Sequence, residues 1–461
     1  MLPAVRAGET LSTGPSGIPV RSLRAEVVEG PDTGKIALSR GETLSVGTGE
    51  NNDLLLTDPT VSRYHADLIG HERGVLVIDQ GSTNGSVVSG VRVERAVVPS
   101  RSTLKLGRTL IRVDDGDPAT VEAFEGDELG PIVGRAPAMR RLMAQIERAA
   151  RSDTSVLLFG ETGTGKEVVA RAIHEASTRK NGPLETVDCG SLLPTLVASE
   201  LFGHEKGAFT GADHQHIGAF ERAAQGTVFL DEIGELPPNL QTALLGVIER
   251  KSFRRVGGTQ AIAADVRVIS ATHRDLRREV NAGTFRQDLY YRLAVVTLAV
   301  PPLRERLEDV PLLIEHFLRL LGHSEPMEAL LPALTLEHLR AHRWPGNVRE
   351  LRNVVEASLV MGEAPTLDEA PLGPRSEAPG SPPSAAPPAP APGGPNLVDL
   401  STVLGLPYSE ARDQIVDRFE AVYLADLLHR YRGNVTLAAR EAKMNRTYLT
   451  RVMKRRGLER P

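Results

Sequence analysis

One octapeptide constrains the fold of this 461-residue chain more than any other stretch of its sequence. Residues Gly160–Glu167 read Gly-Glu-Thr-Gly-Thr-Gly-Lys-Glu, after the apolar run Ser155–Phe159 and before the helical pattern Val168–Ala176. A strand, a Gly-rich loop and a helix in this order predict a phosphate-binding loop, because its backbone N–H groups and the helix N-terminus cradle phosphates. Lys166 is expected to neutralise the β- and γ-phosphates of ATP. The residues predicted to bind the nucleotide in this loop are Gly160, Glu161, Thr162, Gly163, Thr164, Gly165, Lys166 and Glu167.

Two consecutive carboxylates follow a second apolar run. The runs Thr227–Leu230, Val266–Ser270 and Ala294–Val300 alternate with helical patterns, which predicts a parallel α/β sheet. Asp231 and Glu232 come directly after the first of these runs. Because Mg²⁺ prefers oxygen ligands, Asp231 is the candidate metal ligand. Glu232 is the candidate to orient and activate the water that attacks the γ-phosphate in ATP hydrolysis.

A short Gly-rich segment lies between the phosphate loop and the two carboxylates. It reads Gly207-Ala208-Phe209-Thr210-Gly211-Ala212, and its glycines permit backbone conformations closed to other residues. We expect a mobile finger whose exposed aromatic tip offers a large apolar contact. This hexapeptide resembles the signature of bacterial enhancer-binding proteins, the AAA+ ATPases that activate sigma-54 RNA polymerase. The resemblance extends from about Ile132 to Leu351, and Glu167 in place of the usual Ser or Thr is normal in that family.

The resemblance implies roles for several further residues. Phe209 and Thr210 would engage sigma-54, with the rest of the hexapeptide supporting them. Arg286 and Arg292 match the family's arginine fingers and would reach the γ-phosphate bound by a neighbouring subunit, since a planar guanidinium suits charge spread over phosphoryl oxygens. Because each arginine finger acts on the nucleotide of the neighbouring subunit, the assignment implies a ring of subunits, which the resemblance gives as a hexamer. The sensor residues that would contact the bound nucleotide are Thr272 and Arg349, and the nearby Trp344 is expected to pack in the core of the helical lid.

Two positions depart from the family pattern. Asp188 stands where the family has a polar residue, usually Asn, that holds the catalytic Glu inactive until the finger engages, and a carboxylate donates no hydrogen bond unless protonated. His273 stands where Asn is commoner, although imidazole still offers one donor. We expect ATP hydrolysis to survive both changes, but they leave open a DNA-binding adaptor with a nucleotide-locked, non-hydrolysing core. An AAA+ unfoldase or helicase-loading motor is disfavoured by the intact finger Gly207–Ala212.

The C-terminal part combines a Pro-rich spacer with a basic helical segment. Residues 371–395 contain ten prolines and predict an extended, semi-rigid linker. Between Arg430 and Pro461 ten basic and two acidic side chains give a net charge of +8, whereas the whole chain carries −5. Two helices joined by a tight turn resemble the Fis-type helix-turn-helix, and an apolar stripe from Ile415 to Leu427 suits either dimerisation or the domain core. The residues expected to contact double-stranded enhancer DNA are Arg446, Thr447, Tyr448, Thr450, Arg451, Lys454 and Arg455.

The N-terminal part has the pattern of an all-β sandwich. Short β-type runs broken by Gly, Asn and Asp include Lys35–Leu38, Gly74–Asp79 and Leu104–Val113. The motifs Val61–His65 and Gly81–Gly85 resemble those of forkhead-associated (FHA) domains, whose loops bind phosphothreonine peptides. The resemblance implies that the input to this protein is a phosphothreonine protein or another target of a Ser/Thr kinase.

Individual residues of the FHA-like part take their expected roles from that resemblance. Ser62 and Arg63 would contact the phosphate through charge-assisted hydrogen bonds, His65 would brace the loop and Asn84 would bind the peptide backbone. Thr48 replaces the Arg that the family uses for the phosphate, which weakens the expected affinity. The alternative is an FHA fold kept as a protein-interaction or self-docking module.

The composition adds a cellular expectation. A single cysteine, Cys189, excludes an intrachain disulfide and fits a reducing cytoplasm. No apolar run approaches the ~18–20 residues of a membrane span, so we expect a cytoplasmic protein with no membrane partner. The expected organisation is a disordered tail at 1–20, an FHA domain at 21–117, an α/β AAA+ P-loop ATPase at 131–367 with its lid from 301, the linker at 371–395 and an all-α helix-turn-helix at 396–461. Such a protein would bind enhancer DNA, assemble from dimer to hexamer and remodel the closed complex of sigma-54 RNA polymerase holoenzyme with ATP and Mg²⁺.

Overall fold

The structure, a computed structural model, describes residues 17–39, 41–190, 194–323 and 327–362. All of them belong to one of the two compact units of the chain, residues 1–370. The predicted linker 371–395 and the predicted helix-turn-helix 396–461, with every predicted DNA contact, lie outside the described residues, as does most of the predicted tail. None of the helices in the described part is long and apolar enough to cross a membrane.

The described part begins with a β-domain made of two sheets. Their strand orders are β2-β1-β11-β10-β7-β8 and β4-β3-β5-β6-β9, and all pairings are antiparallel except that of β3 with β4. Inward side chains of both sheets share one apolar core, which confirms the expected all-β sandwich. The strands are β1 (Gly17–Glu29), β2 (Ile36–Leu38), β3 (Thr43–Gly47), β4 (Leu54–Leu55), β5 (Ala66–His71), β6 (Gly74–Asp79), β7 (Ser86–Val88), β8 (Val91–Val93), β9 (Arg95–Val98), β10 (Ser102–Leu106) and β11 (Thr109–Glu122).

One predicted β-run holds two strands instead of one. The run Leu104–Val113 covers the end of β10 and the start of β11, which form a tight hairpin. Gly107 turns the chain with a φ of +59°, and a Cβ there would lie 2.3 Å from the hydroxyl of Thr60. The apolar pattern alone did not reveal the turn, because the residues on both sides of Gly107 alternate in the same way.

A parallel α/β domain with a helical lid follows the β-domain. Its elements are β12 (Glu128–Leu129), β13 (Ile132–Val133), α1 (Pro137–Ala150), β14 (Val156–Phe159), α2 (Lys166–Glu175), β15 (Leu184–Asp188), α3 (Pro194–Phe202), α4 (Ala219–Arg222), β16 (Thr227–Asp231), α5 (Pro238–Arg250), β17 (Ser252–Phe253), β18 (Ile262–Ala263), β19 (Arg267–Thr272), α6 (Leu276–Ala282), α7 (Gln287–Leu293) and β20 (Val296–Ala299). The helices of the lid are α8 (Val310–Leu320), α9 (Met327–Leu330), α10 (Ala333–Ala341) and α11 (Asn347–Met361).

The central sheet has the order β15-β16-β19-β14-β20, and its strands are parallel. Successive residues of β16 point to opposite faces: Val228 and Leu230 join one apolar cluster and Phe229 joins the other. The prediction of a parallel α/β sheet is therefore confirmed. The edge strand Leu184–Asp188 was not predicted, because only Val187 in it is buried and the other four positions carry no apolar run.

The lid has an apolar core of its own. Trp344 is fully buried there, and its indole N–H donates to the Leu339 carbonyl at 2.9 Å. The expectation that this tryptophan packs in the lid is confirmed.

Candidate active site

The phosphate loop connects β14 to α2 at the carboxyl edge of the sheet. Gly163 and Gly165 adopt φ values of +80° and +102°, which side-chain-bearing residues rarely take. Lys166 is only 7% exposed, and its Nζ donates to the Gly160 carbonyl at 3.0 Å. The ammonium group is thus held at the mouth of the loop, where it can meet a phosphate.

Three carboxylates lie near this ammonium at the ends of neighbouring strands. Asp188 and Asp231 are paired in register on β15 and β16, and Glu232 follows with a left-handed φ of +49°. Burial raises the pKa of Asp231, and the Glu232 and Asp188 carboxylates add to that rise, while Lys166 opposes it. A non-glycine residue in left-handed backbone next to a cluster of like charges is typical of a functional site.

Glu232 is held by two partners. Its Oε1 lies 3.6 Å from Lys166 Nζ, and its Oε2 lies 2.7 Å from His273 Nδ1. The backbone N–H of His273 also points to Oε2, at 3.3 Å. Asp188 accepts a hydrogen bond from the N–H of Gly190 at 2.8 Å. Sequence reasoning marked His273 as a departure but missed that it contacts Glu232, because the contact joins the ends of two different strands.

The lid closes over the phosphate loop through polar contacts. Asn347 is fully buried, and its side chain donates to the Thr162 carbonyl and to Glu161 Oε2, both at 3.1 Å. Arg304 pairs with both oxygens of Glu161 at 2.8 and 2.6 Å, and these bonds lower the pKa of that carboxyl. The N–H of Arg349, the predicted second sensor, donates to the Gly163 carbonyl at 3.2 Å. Asn347 and Arg304 were not predicted, although Asn347 stands two residues before Arg349.

An apolar cavity adjoins the phosphate loop on the lid side. Its walls include Ile132, Val168 and Phe317, and Arg306 closes one end. Burial lowers the pKa of Arg306 to about 10, and its Nη2 donates to the Thr164 carbonyl at 2.8 Å. Arg306 Nε has no partner. A narrow apolar cavity with one unsatisfied donor beside a phosphate loop suits a planar heteroaromatic ring with acceptor atoms.

The predicted finger is a tight turn closed by its own backbone. The N–H of Gly207 donates to the Ala212 carbonyl at 2.8 Å, and a Cβ at Gly207 or Gly211 would meet nothing within 4 Å. The tip is not fully exposed as expected: the Phe209 ring is partly covered by the His204 ring, with centroids 4.9 Å apart in an edge-to-face arrangement. Thr210 is exposed.

The two predicted arginine fingers lie on α7 or at its start. Arg286 pairs with Asp288 at 2.7 Å and Arg292 with Glu249 at 3.2 Å. Their side chains are 45% and 58% exposed. Both guanidinium groups therefore face the surface, where pairs of this kind are weak and exchange partners readily.

In the β-domain, the loops that carry the predicted phosphopeptide residues meet. His65 is fully buried: its Nδ1 accepts the Ser62 N–H at 3.1 Å, and its Nε2 faces the Gly85 carbonyl at 3.2 Å. Burial lowers the pKa of His65, which favours the neutral ring that this pattern requires. Asn84 donates to the Thr60 carbonyl at 2.7 Å, and Arg63 is exposed.

Comparison with known families matches three parts of the chain. Residues 132–299 match the sigma-54 interaction domain, and residues 304–386 match the AAA+ ATPase lid domain. Residues 26–117 match the cytoplasmic domain of the inner membrane component of the type III secretion system.

A near full-length relative decides the family. The transcriptional regulatory protein GlrR of Escherichia coli is 38% identical over 432 residues, which cover 92% of this chain and 91% of that protein. The chain belongs to the sigma-54 activator family of transcriptional regulators. The regulator is also 46% identical over 271 residues to the Nif-specific regulatory protein of Azotobacter vinelandii and 49% identical over 258 residues to ZraR of E. coli, and it spans only 51% and 58% of their lengths.

Solved structures resemble the regulator in two parts. NtrX from Brucella abortus is 35% identical, with a TM-score of 0.47 over 70% of this chain and 69% of that one. The FHA domain of CT664 from Chlamydia trachomatis is 31% identical, with a TM-score of 0.19 over 21% of this chain and 99% of that domain. The predicted AAA+ sigma-54 interaction domain with its lid is confirmed by the family matches, and the all-β N-terminal part by its two sheets.

We predict that Gly163→Ala destabilises the regulator more than Gly165→Ala does. Both substitutions force a side chain into left-handed backbone, which costs about 1–3 kcal/mol. At Gly163 the new Cβ would also lie 2.4 Å from the Gly346 carbonyl and push the lid away, whereas at Gly165 it meets nothing within 4 Å. Thermal unfolding of the two variants measures the difference, and equal melting temperatures would show that the lid does not rest on this loop.

Proposed function

We propose that the regulator hydrolyses ATP and uses the energy to convert the closed promoter complex of sigma-54 RNA polymerase into the open complex. The observation that carries this proposal is that Lys166 Nζ, on the phosphate loop, lies 3.6 Å from Glu232 Oε1, after β16, within the residues that match the sigma-54 interaction domain. A cation for the phosphates and a carboxylate for the water are the two groups that the chemistry requires.

In ATP hydrolysis, each of the residues around the phosphate loop and the strand ends has a separate role. Lys166 and the loop N–H groups bind the β- and γ-phosphates, and Glu232 orients the attacking water once it leaves its present partners. Thr272 ends β19 beside Phe159, the last residue before the phosphate loop, and would contact the γ-phosphate, although its buried hydroxyl now accepts the Arg274 N–H at 3.0 Å. The cavity lined by Arg306 would take the base, and the Arg306 Nε, which is buried without a partner, would be available to a ring nitrogen.

The carboxylate ends of β15 and β16 also suit a divalent cation. Asp231, Glu232 and Asp188 concentrate negative charge in a place where burial already disfavours it, as the raised pKa of Asp231 indicates. Asp231 would hold Mg²⁺ together with the nucleotide phosphates, since Mg²⁺ binds through one or two carboxylates in such sites. The bound ion would neutralise part of the phosphate charge.

The ring and the finger convert hydrolysis into work on the polymerase. Arg286, exposed just before α7, and Arg292, exposed on α7, reach the γ-phosphate of a neighbouring subunit in a hexamer. Phe209 and Thr210 leave the His204 contact and engage sigma-54. Helix-turn-helix dimers, with Arg446 and its neighbours, hold the ring at enhancer DNA, and the Pro-rich linker keeps the local concentration of the ring high.

One alternative retains support from a specific contact. His273 holds Glu232 at 2.7 Å, so a core that binds ATP without hydrolysing it would leave a DNA-binding adaptor. The two functions differ in ATP turnover by the full chain.

We predict that Phe209→Ala abolishes ATP-dependent open-complex formation while leaving ATP hydrolysis within about twofold. The substitution removes the apolar tip that contacts sigma-54 but no group at the phosphate loop. Promoter melting with sigma-54 polymerase and phosphate release are measured side by side, with Phe209→Tyr as the matched control that keeps the ring. Normal promoter opening by the Ala variant would show that the finger assignment is wrong.

We predict that Arg286→Ala lowers ATP turnover by on the order of 10³, as for other arginine fingers. A subunit with the variant should still bind nucleotide, because the fingers act on the neighbouring site. Mixing Arg286→Ala with Glu232→Gln subunits should restore some turnover, since each supplies what the other lacks. Arg352→Ala, which removes another exposed arginine with a surface ion pair, to Glu356 on α11, is the control that stays at the normal rate. Near-normal turnover by Arg286→Ala would contradict catalysis in trans.

We predict that His273→Ala raises basal ATP turnover about tenfold in the absence of sigma-54. A hydrogen bond to a charged group contributes about 1.5–3 kcal/mol, so its loss frees Glu232 to meet the water. His273→Asn keeps a donor and should stay within about threefold of the normal rate. A lower turnover of His273→Ala, with unchanged nucleotide affinity, would show that His273 acts on the phosphate and does not hold Glu232.

A further inference from the structure

A polar and aromatic interface joins the β-domain to helices α6 and α7 of the ATPase domain. We propose that this interface is an inhibitory docking site: the phosphopeptide edge of the β-domain binds α6 and α7, and obstructs the approach of a neighbouring subunit to the cleft at Arg286. Here the phosphopeptide edge means residues 47–49, 61–65 and 79–85. The inference rests on the proposed ATPase and ring and on the phosphopeptide binding that the resemblance to FHA domains implies, and it goes further by stating how the β-domain acts on the ring.

A buried ion pair lies at the centre of the interface. Arg277 on α6 donates from Nη1 to Asp67 Oδ1 at 2.6 Å, and Gln80 donates to the other carboxylate oxygen at 2.8 Å. Burial opposes the charge of Arg277, but Asp67 and the Tyr290 hydroxyl together raise the pKa of its guanidinium. Burial raises the pKa of Asp67, while the Arg277 charge and the Gln80 hydrogen bond oppose that rise. Both groups of the pair have further hydrogen-bond partners, which is the condition under which a buried charge is tolerated.

The backbone of the phosphopeptide edge is bound directly by α6. The Asn281 amide donates to the carbonyls of Tyr64 at 2.6 Å and Gln80 at 2.9 Å. Arg278 donates to the Asp79 carbonyl at 2.7 Å. Tyr64 stands between the predicted phosphate residue Arg63 and the bracing His65, so α6 contacts the very loop that would bind a phosphopeptide.

An aromatic contact extends the interface to α7. Tyr64 is 1% exposed and belongs to the apolar cluster of the ATPase domain. Its ring meets that of Tyr290 edge-to-face, with centroids 5.4 Å apart, and the Arg277 guanidinium lies 5.4 Å from the Tyr64 ring centroid. A tyrosine at the tip of a surface loop gains this burial only by docking, and both the edge-to-face ring contact and the cation–π contact stabilise the docked position.

The docked edge lies next to a predicted arginine finger. An open cleft of about 320 Å³ is lined by Arg286, Gln287, Asp288 and Tyr291. A Cβ on Gly49 of the β-domain would lie 3.1 Å from the Tyr291 hydroxyl, at the rim of that cleft. A neighbouring subunit that must bring its γ-phosphate to Arg286 would meet the β-domain first.

A second contact fixes the domain from another side. Glu42 of the β-domain pairs with Arg141 on α1 at 2.6 Å. The β-domain thus contacts the ATPase domain through α1 as well as through α6 and α7. Because the contacts are at two places, the β-domain cannot rotate about one of them and move away from the cleft.

Docking and phosphopeptide binding involve the same loops and must therefore influence each other. If a peptide bound at Ser62 and Arg63 disfavours docking, docking disfavours the peptide by the same factor. The β-domain then represses ring assembly, and a phosphothreonine ligand relieves that repression.

The test is Asn281→Asp in the full-length chain. The substitution keeps the shape of the side chain but turns a carboxylate oxygen toward the carbonyls of Tyr64 and Gln80, so docking becomes repulsive. We expect hydrogen exchange to rise in residues 61–65, the protein concentration for half-maximal ATP turnover to fall at least tenfold, and a library of phosphothreonine peptides to bind at least fivefold more tightly. Asn353→Asp, the same change at an exposed position on α11, is the control and should alter none of these.

The outcomes separate this inference from the proposed function. If the unaltered chain hydrolyses ATP and opens promoters, but Asn281→Asp increases exchange without lowering the assembly concentration, the inhibitory docking is overturned. If neither protein hydrolyses ATP at any concentration, the proposed function fails. If the unaltered chain and Asn281→Asp bind the phosphothreonine peptides with equal affinity, docking and peptide binding do not oppose each other, and that part of the inference is overturned. Asp67→Asn removes the buried ion pair from the β-domain side and must give the same direction of change, which guards against a folding defect in Asn281→Asp.

Discussion

Parallel strand register is the constraint on which the rest of this structure depends. Because β14, β15, β16 and β19 run in one direction, their carboxyl ends meet at a single edge. The phosphate loop, Asp188, Asp231 and Thr272 are therefore neighbours in space, although more than a hundred residues separate the first from the last. The left-handed turn at Glu232 then directs its carboxylate back toward Lys166 and His273. The proposed roles of Lys166, Asp231, Glu232 and Thr272 all depend on that edge.

The lid and the β-domain contact the ATPase domain at two different places. Asn347 and Arg304 join the lid to Glu161 of the phosphate loop. A change in the conformation of the loop therefore alters the contacts that hold the lid. The β-domain instead contacts α6 and α7, where the surface arginines lie. One contact set concerns the subunit's own nucleotide and the other concerns access by a neighbour, so binding and assembly can be controlled separately.

Local patterns in the sequence were sufficient to predict the phosphate loop and the two carboxylates after β16. Each of these depends on residues close in sequence, whose spacing carries the chemistry. The bracing role of His65 was instead inferred from the resemblance to FHA domains, and one of its two contacts joins it to Gly85, twenty residues away. Three features could not be predicted for a common reason. The contact of His273 with Glu232, the buried Asn347 and the pair of Arg277 with Asp67 join distant segments, so no spacing within one segment reveals them. The edge strand β15 and the turn at Gly107 were missed because their apolar pattern is either too short or continuous across the turn.

Asn281 and Arg278 bind main-chain carbonyls, and this choice has a consequence for sequence change. Any residue at positions 79 and 80 presents the same oxygen atom, so these hydrogen bonds depend on the path of the backbone and not on the side chains. Side chains on the exposed part of the same edge, such as Arg63, can then be exchanged without loss of those bonds. The specificity of the β-domain for its ligand could diverge while its hold on the ATPase domain stays intact.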